Sequence, residues 1–473
     1  MKVTDVHFSL ILRSKLKDIY RNMAKAIRIR KGCDIRLQGE AEKTLEMPAR
    51  AEVFAIKPTD FHGLVPKLVV REGDQVKAGD ALFYDKYNDA IKYSAPVSGV
   101  VKAIVRGEKR RILEVQIQAD SITQFRDFGA RAAKGANREE LIQHLLEGGI
   151  WPVIEQRPFS VVANPEDLPR DIFVTGFDSS PLAPDADFVM EGSEAEFQEG
   201  IDALNVLAGD KKVHLTYKKG TSKLTVIQNA ELHEVSGPHP AGNVGVQIHQ
   251  IAPMSKGEVL WTLRAQDVVN MGRFLKTGKM DLQRVVAITG SEVTAPKYVK
   301  VTVGTCVSTL LEGKVTEGNN RVISGNVLTG DKIAADGYLG FYHHQITVIP
   351  EGDEPLFFLT EGWLAPGLKD FSLSHAFPTW IMPKTKKFKL TTNQHGEDRA
   401  FVVTGQYEKV FPFDIYPVQL VKSIIVNDID AMEKLGIYEV APEDFALCEY
   451  SCTSKINVQS IVRQGLDVIK EEC

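Results

Sequence analysis

The chain is poor in cysteine, with five in 473 residues. So small and odd a number excludes a disulfide-stapled scaffold and fits a reducing compartment. No run reaches 18 consecutive apolar residues, so no segment reads as a membrane-spanning helix. Basic charge is not in excess: 57 Lys and Arg stand against 62 Asp and Glu, a formal net charge of −5, which argues against a dedicated nucleic-acid binder. Low-complexity tracts and long-period repeats are missing too, which removes solenoids and disordered arrays. What remains is an ordinary globular composition, 43% hydrophobic and 25% charged. At about 100–200 residues per domain, the length predicts three or four domains.

Residues 1–22 hold a short apolar run at 6–12, interrupted by His7 and Ser9. No small-residue cleavage site follows, and Lys15 and Lys17 come too early for a signal peptide. Met23 opens a more natural start, so 1–22 are read as an extended, non-native N-terminus.

Residues 50–118 read as β only, with apolar runs at 65–70, 81–84, 99–105 and 112–117 divided by Gly-Asp and Pro-Ser-Gly turns. Two half-motifs, REGDQVKAGDAL at 71–82 and SAPVSGVVKAIVRGEKR at 94–110, predict two interlocked hairpin layers. From about 137 the pattern alternates helix and strand. Asn137 caps a helix with Leu141, Ile142, Leu145 and Leu146 on one face. Ser193 and Glu196 read as a capping box for a helix ended by Gly209. Strands are expected at 159–163, 171–175, 213–217 and 223–227, then a helix near 264–275. A small mixed sheet with one helix follows over roughly 280–350. A Pro-rich polar linker spans 376–399, and helical patterns dominate beyond 412.

The half-motifs GDxVxxGDxL and APxxGxV resemble the biotinyl/lipoyl carrier fold, the barrel-sandwich hybrid. A carrier lysine is expected about seven residues past Leu82, where Asn88 and Asp89 stand, so the fold is expected without the carrier chemistry. FVTGFDSSPLAPDAD at 173–187 follows a strand, as a nucleotide loop should, but has one glycine where a phosphate cradle needs several. GPHPAGNVGVQIH at 237–249 also lacks G-x-G-x-x-G and a Walker lysine. Cys448 and Cys452 are two thiols where an iron–sulfur or zinc site needs four ligands. His233, His239, His249, His343, His344 and His375 show no metal-ligand spacing, and no nucleophile–base signature appears. The expectation is no catalytic residue and no metal site. The 384–389 run (KTKKFK) reads as a solvated loop, with anionic lipid headgroups as the alternative.

Over 23–473, the ordered set IRIRKGCDIRLQGEA, VREGDQVKAGDALFYDK, APVSGVVKAIVRGEKR, FVTGFDSSPLAPD, GPHPAGNVG, VVAITGSEV and DFALCEYSCTSK resembles the A-subunit family of the bacterial sodium-translocating NADH:quinone oxidoreductase. That family is similar to the C subunit of the Rnf complex and to the flavin-bearing subunit of respiratory complex I. The resemblance implies four units: a barrel-sandwich hybrid at 23–125, a Rossmann-like α/β domain at 126–262 and a ubiquitin-like SLBB domain at 263–375, then, after the linker, a helical domain at 401–473. It implies a peripheral subunit on the cytoplasmic face of the bacterial inner membrane, docked on the B and C membrane subunits. FAD, FMN and iron–sulfur centres then belong to partner subunits and none to this chain, with quinone bound here or at the contact with the B subunit. Phe177, His239 and His249, near the degenerate nucleotide crevice, are the residues nominated for a quinone pocket. The other reading is a soluble NADH- or FMN-binding oxidoreductase module.

Overall fold

The computed structural model describes residues 25–472 except 222, 354, 355, 358, 361–363, 374 and 376, so the extension read at 1–22 lies outside the described residues. The β-only region folds as two layers. Strands Val53–Ile56, Ile112–Ala119, Gly99–Arg106 and Gln75–Val76 make one sheet, and Pro66–Leu68, Ala81–Asp85 and Asn88–Ser94 the other. Gly99 is required here: its φ is +156°, and a Cβ would lie 2.0 Å from the Gln118 carbonyl oxygen. The hairpin tip differs from the expected one. Asp85 pairs with Asn88, so Lys86 and Tyr87 form the turn, not Asn88 and Asp89. The Asp85 carboxylate accepts from the Tyr87 amide and fixes that turn early.

The α/β unit carries a seven-stranded mixed sheet. Its four central strands run parallel in the order Glu231–Ser236, Lys212–Lys218, Asp171–Thr175, Leu260–Arg264. Helices Arg138–Glu147, Glu194–Ala208 and Ala265–Thr277 cover one face. Asn137 caps the first as expected, its side chain accepting from the Glu139 amide. Ser193 precedes the second helix but makes no side-chain cap bond. Gly200 and Gly272 let the second and third helices touch backbone to backbone: a Cβ on Gly272 would fall 1.8 Å from Glu196 O, and one on Gly200 2.3 Å from Val268 O. Ala265–Thr277 therefore packs with the α/β unit, although its sequence position lies past 262.

Two strand readings change. Residues 223–227 form a 3-10 turn at Lys223–Val226, and 159–163 keep only Val161–Val162 because Phe159 and Ser160 adopt positive φ. Short apolar runs do not distinguish strand from turn by periodicity.

A second mixed sheet, in the order Asp331–Ile333, Asn320–Ser324, Gln345–Pro350, Gln283–Thr289, Lys297–Thr302, Glu42–Glu46, holds the single helix Val307–Leu311 and its own core. The C-terminal helices Pro417–Ile425, Ile429–Lys434, Ala446–Ser451 and Val458–Glu472 close around Tyr407, Phe411, Phe445 and Leu466. The N-terminal segment does not stay with the β unit. Lys25–Arg28 pairs parallel to Glu231–Ser236 as an edge of the α/β sheet, and Glu42–Glu46 pairs with Lys297–Thr302. Alternation in these runs specifies a strand but names no partner.

Candidate functional site

The chain order of the parallel strands reverses beside Asp171–Thr175. Succeeding strands add to one side, and Leu260–Arg264 returns on the other. Such a switch point leaves a crevice beyond the carboxyl ends of the two strands, where open α/β sheets bind ligands. A cavity of about 410 Å³ lies there, walled by all four domains.

The nucleotide-binding parts of that crevice are filled from within. Gly176 serves packing, since a Cβ there would sit 2.5 Å from the Thr216 carbonyl oxygen. The helix after the loop is one turn long, Ala186–Val189, and its N-terminus is capped by the Asp185 carboxylate. The second helix opening on the cavity, Val244–Ile251, has the buried Asp444 carboxylate against its first turn, 2.4 Å from where a Gly245 Cβ would stand. Burial, opposed by Arg157 and aided by Glu443, pushes the Asp444 carboxyl up to about 7. A phosphate needs free amides at such a terminus. Both of these termini face a carboxylate of the chain itself.

Three histidines reach the cavity by similar constructions. The Gly242 amide donates to Ser179 Oγ at 2.7 Å, so the hydroxyl proton is free to donate to His239 Nδ1 at 3.0 Å. The Gly340 amide donates to Ser324 Oγ at 2.9 Å, and that hydroxyl faces His343 Nδ1 at 2.8 Å. The Gln266 amide nitrogen donates to His344 Nδ1 at 2.8 Å. His344 Nδ1 accepts, because Gln266 Nε2 can only donate and its Oε1 already takes the Val285 amide, so the proton of that neutral ring sits on Nε2. The Nδ1 atoms of His239 and His343 are each tied to a serine hydroxyl. Burial lowers all three pKa values, with nearby cations adding to the effect at His343, which falls to about 3, and at His344. The rings are thus uncharged at neutral pH, and His344 carries its proton on Nε2.

Phe177, Val189, Met190 and Tyr342 supply apolar wall. Arg157 is paired with Glu443 at 2.7 Å, and Arg264 with Glu155 at 3.2 Å. Arg463 donates to the Phe159 carbonyl. Such a lining suits an uncharged, flat, carbonyl-bearing ligand better than a polyanion.

Of the residues nominated from sequence, Phe177 and His239 line this cavity and His249 does not. His249 Nδ1 meets Glu439 Oε2 at 3.1 Å, and its Nε2 accepts from the Asp414 amide at 3.0 Å. It pins the α/β unit to the helical domain. Sequence reasoning missed His343, His344 and Tyr342 for this site, because they arrive from the second mixed sheet and no spacing ties them to Phe177. The clustered Tyr-His-His at 342–344 is their only trace in the sequence.

Residues 27–120 match the profile described as the NqrA N-terminal barrel-sandwich hybrid domain, 136–280 the NqrA second alpha/beta domain, and 285–335 the NQRA C-terminal domain. The chain is 36% identical over 448 residues to the A subunit of the Na(+)-translocating NADH-quinone reductase of Marinomonas sp., covering 94% of this chain and 99% of that protein. The proteins of the same name from Saccharophagus degradans and Haemophilus influenzae are each 37% identical over 452 residues, covering 94% of this chain and all of theirs. The chain belongs to the A-subunit family of the Na(+)-translocating NADH-quinone reductases. The barrel-sandwich, α/β and SLBB units and the C-terminal helices expected from the family resemblance are those the structure displays.

Within this A-subunit fold, Cys448 and Cys452 are core residues. Both are buried among the C-terminal helices, Tyr407 Oη donates to Cys452 Sγ at 3.0 Å, and burial raises the Cys448 thiol well above its ordinary value. A Cys448→Ser, Cys452→Ser chain is expected to lose about 1–3 kcal/mol of stability, the cost of polar groups imperfectly satisfied in a core. Thermal unfolding with iron analysis checks it. Stoichiometric iron in the wild type, lost in the double variant, would show that the pair is a ligand set.

Proposed function

We propose that this chain is a peripheral subunit without a redox centre of its own, docked on membrane subunits of a sodium-pumping NADH:quinone reductase, and that its switch-point cavity receives the quinone head group. One observation carries the reading: three neutral imidazoles, each with Nδ1 committed to the protein, surround a slot whose helix N-termini face internal carboxylates. A quinone offers two carbonyl acceptors on a flat apolar ring, which suits neutral imidazoles, His344 Nε2–H first among them, and the Phe177 and Tyr342 walls. The occupied helix termini weigh against the FMN or NADH reading. That no helix among the described residues is long and apolar enough to cross a membrane agrees with a peripheral position.

The test is a His239→Leu substitution in the assembled complex. Losing one buried hydrogen bond, worth about 1.5 kcal/mol, should raise the KM for quinone roughly tenfold. NADH oxidation with an artificial acceptor should be unchanged, and His239→Gln should restore part of the loss. An unaltered KM in the leucine variant would place the quinone elsewhere.

A further inference from the structure

On the face of the parallel sheet away from helices Glu194–Ala208 and Ala265–Thr277, three ligand-type side chains converge outside the switch-point cavity. Among the described residues, His214, Glu231 and His233 are a group of histidine, cysteine or carboxylate residues whose ligand atoms all lie within 4.8 Å of one another. The topology makes this possible. Lys212–Lys218 and Glu231–Ser236 are parallel neighbours in which His214 is opposite Glu231 and Thr216 opposite His233. The strand period of two therefore puts His214, Glu231 and His233 on one face.

The orientations match what a metal requires. His214 Nδ1 faces His233 Nε2 at 3.0 Å and Glu231 Oε2 at 3.6 Å. On its other side, His214 Nε2 faces the Asp171 carboxylate at 3.6 Å, and Arg170 holds that carboxylate at 2.9 Å. At 3.6 Å the carboxylate stands just outside hydrogen-bond distance, but its charge favours a proton on the rear nitrogen and a lone pair on the forward one, the polarity that carboxylates behind metal-bound histidines supply. Glu231 is divided the same way: Oε1 takes Lys212 Nζ at 2.8 Å, leaving Oε2 for the cluster. Phe173 stacks on the His214 ring with centroids 4.6 Å apart and holds its plane. Both imidazoles are buried, while the Glu231 side chain is 43% exposed, giving an ion access and room for a water as fourth ligand.

We propose that His214 Nδ1, His233 Nε2 and Glu231 Oε2 bind one first-row divalent metal ion, with zinc the ion that this ligand set suits. Two imidazoles and one carboxylate with an open fourth position form a set that zinc accepts. Tetrahedral bonds of about 2.0–2.1 Å place two ligand nitrogens roughly 3.3 Å apart, so the pair needs to open by only a few tenths of an ångström. A bound ion would tie neighbouring strands together across the 219–230 crossover. No sequence motif signals the site, because the two histidines lie on separate strands joined by a loop and share no short spacing.

The test uses the untagged full chain, stripped with a chelator and titrated with zinc chloride by calorimetry. One equivalent should bind. Cobalt(II) in place of zinc should give visible bands without a thiolate charge-transfer band. Glu231→Gln, on the exposed rim, should weaken zinc binding at least tenfold, and Asp171→Asn, which touches no metal, about 10–100-fold. Zinc should raise the unfolding temperature of the wild type but, at equal concentration, raise that of Glu231→Gln less. Absence of a one-equivalent isotherm, equal affinity in both variants and the wild type, or a thiolate-type cobalt spectrum would overturn the site. His214→Ala should abolish binding if that chain folds; the two milder variants decide the matter if it does not.

Discussion

Asp267→Ala will destabilise the chain by about 3–5 kcal/mol, one of the largest effects expected of a single substitution here. Asp267 and Arg284 are paired, each only 1% exposed. The guanidinium also donates to the Phe341 and His343 carbonyls, so this one side chain joins helix Ala265–Thr277 to the loop that carries the cavity histidines. Removing the carboxylate strands a cation where water cannot reach it, and the penalty is mostly that desolvation. Thermal unfolding should show a drop on the order of 10 °C for the unit concerned. Replacing both partners, Asp267→Leu with Arg284→Met, should recover part of the loss, since an apolar pair leaves no charge behind while the Phe341 and His343 carbonyls lose their donor. A single variant within about 1 kcal/mol of wild type would show that water reaches the pair.

The second large effect is functional. Stripping this protein from the assembled reductase should abolish most quinone reduction while leaving NADH oxidation by an artificial acceptor intact. The proposed reading puts the flavin that meets NADH on another polypeptide, so this chain acts through shape, closing the quinone pocket where it meets its neighbours. A permanent contact of that kind buries on the order of 2,000 Å² or more. Both activities are measured on the same stripped membranes, with reconstitution by the purified chain as control. Loss of the artificial-acceptor activity, together with NADH binding by the isolated chain, would favour the dehydrogenase reading.

The layered β unit was legible because its turns need particular residues: the Gly-Asp and Pro-Ser-Gly steps around 73–80 and 96–99 leave few other folds. The α/β alternation was legible from periodicity and from Asn137. The cavity was half legible. Phe177 and His239 follow the ends of parallel strands, where fold-level logic directs attention, whereas His343 and His344 come from another domain, and only tertiary packing brings them in. His249 misled for the same reason: it is close in sequence to His239, but one helix later it points to a different interface. The Lys86–Tyr87 turn escaped because counting from a carrier motif assumes a hairpin length that the Asp85 side chain cuts short.

The strand Lys25–Arg28 is made early and used late. Its pairing partner, Glu231–Ser236, is translated about two hundred residues afterwards. At a synthesis rate of about 5–20 residues per second, that edge waits on the order of ten to forty seconds before it can be buried. Glu42–Glu46 waits longer still for Lys297–Thr302. These two early segments are thus among the last to find their sheets, and the barrel-sandwich can form while they trail outside it. Cellular production of this chain should depend on holdase chaperones that shield a nascent strand edge, more than its modest domain sizes would suggest.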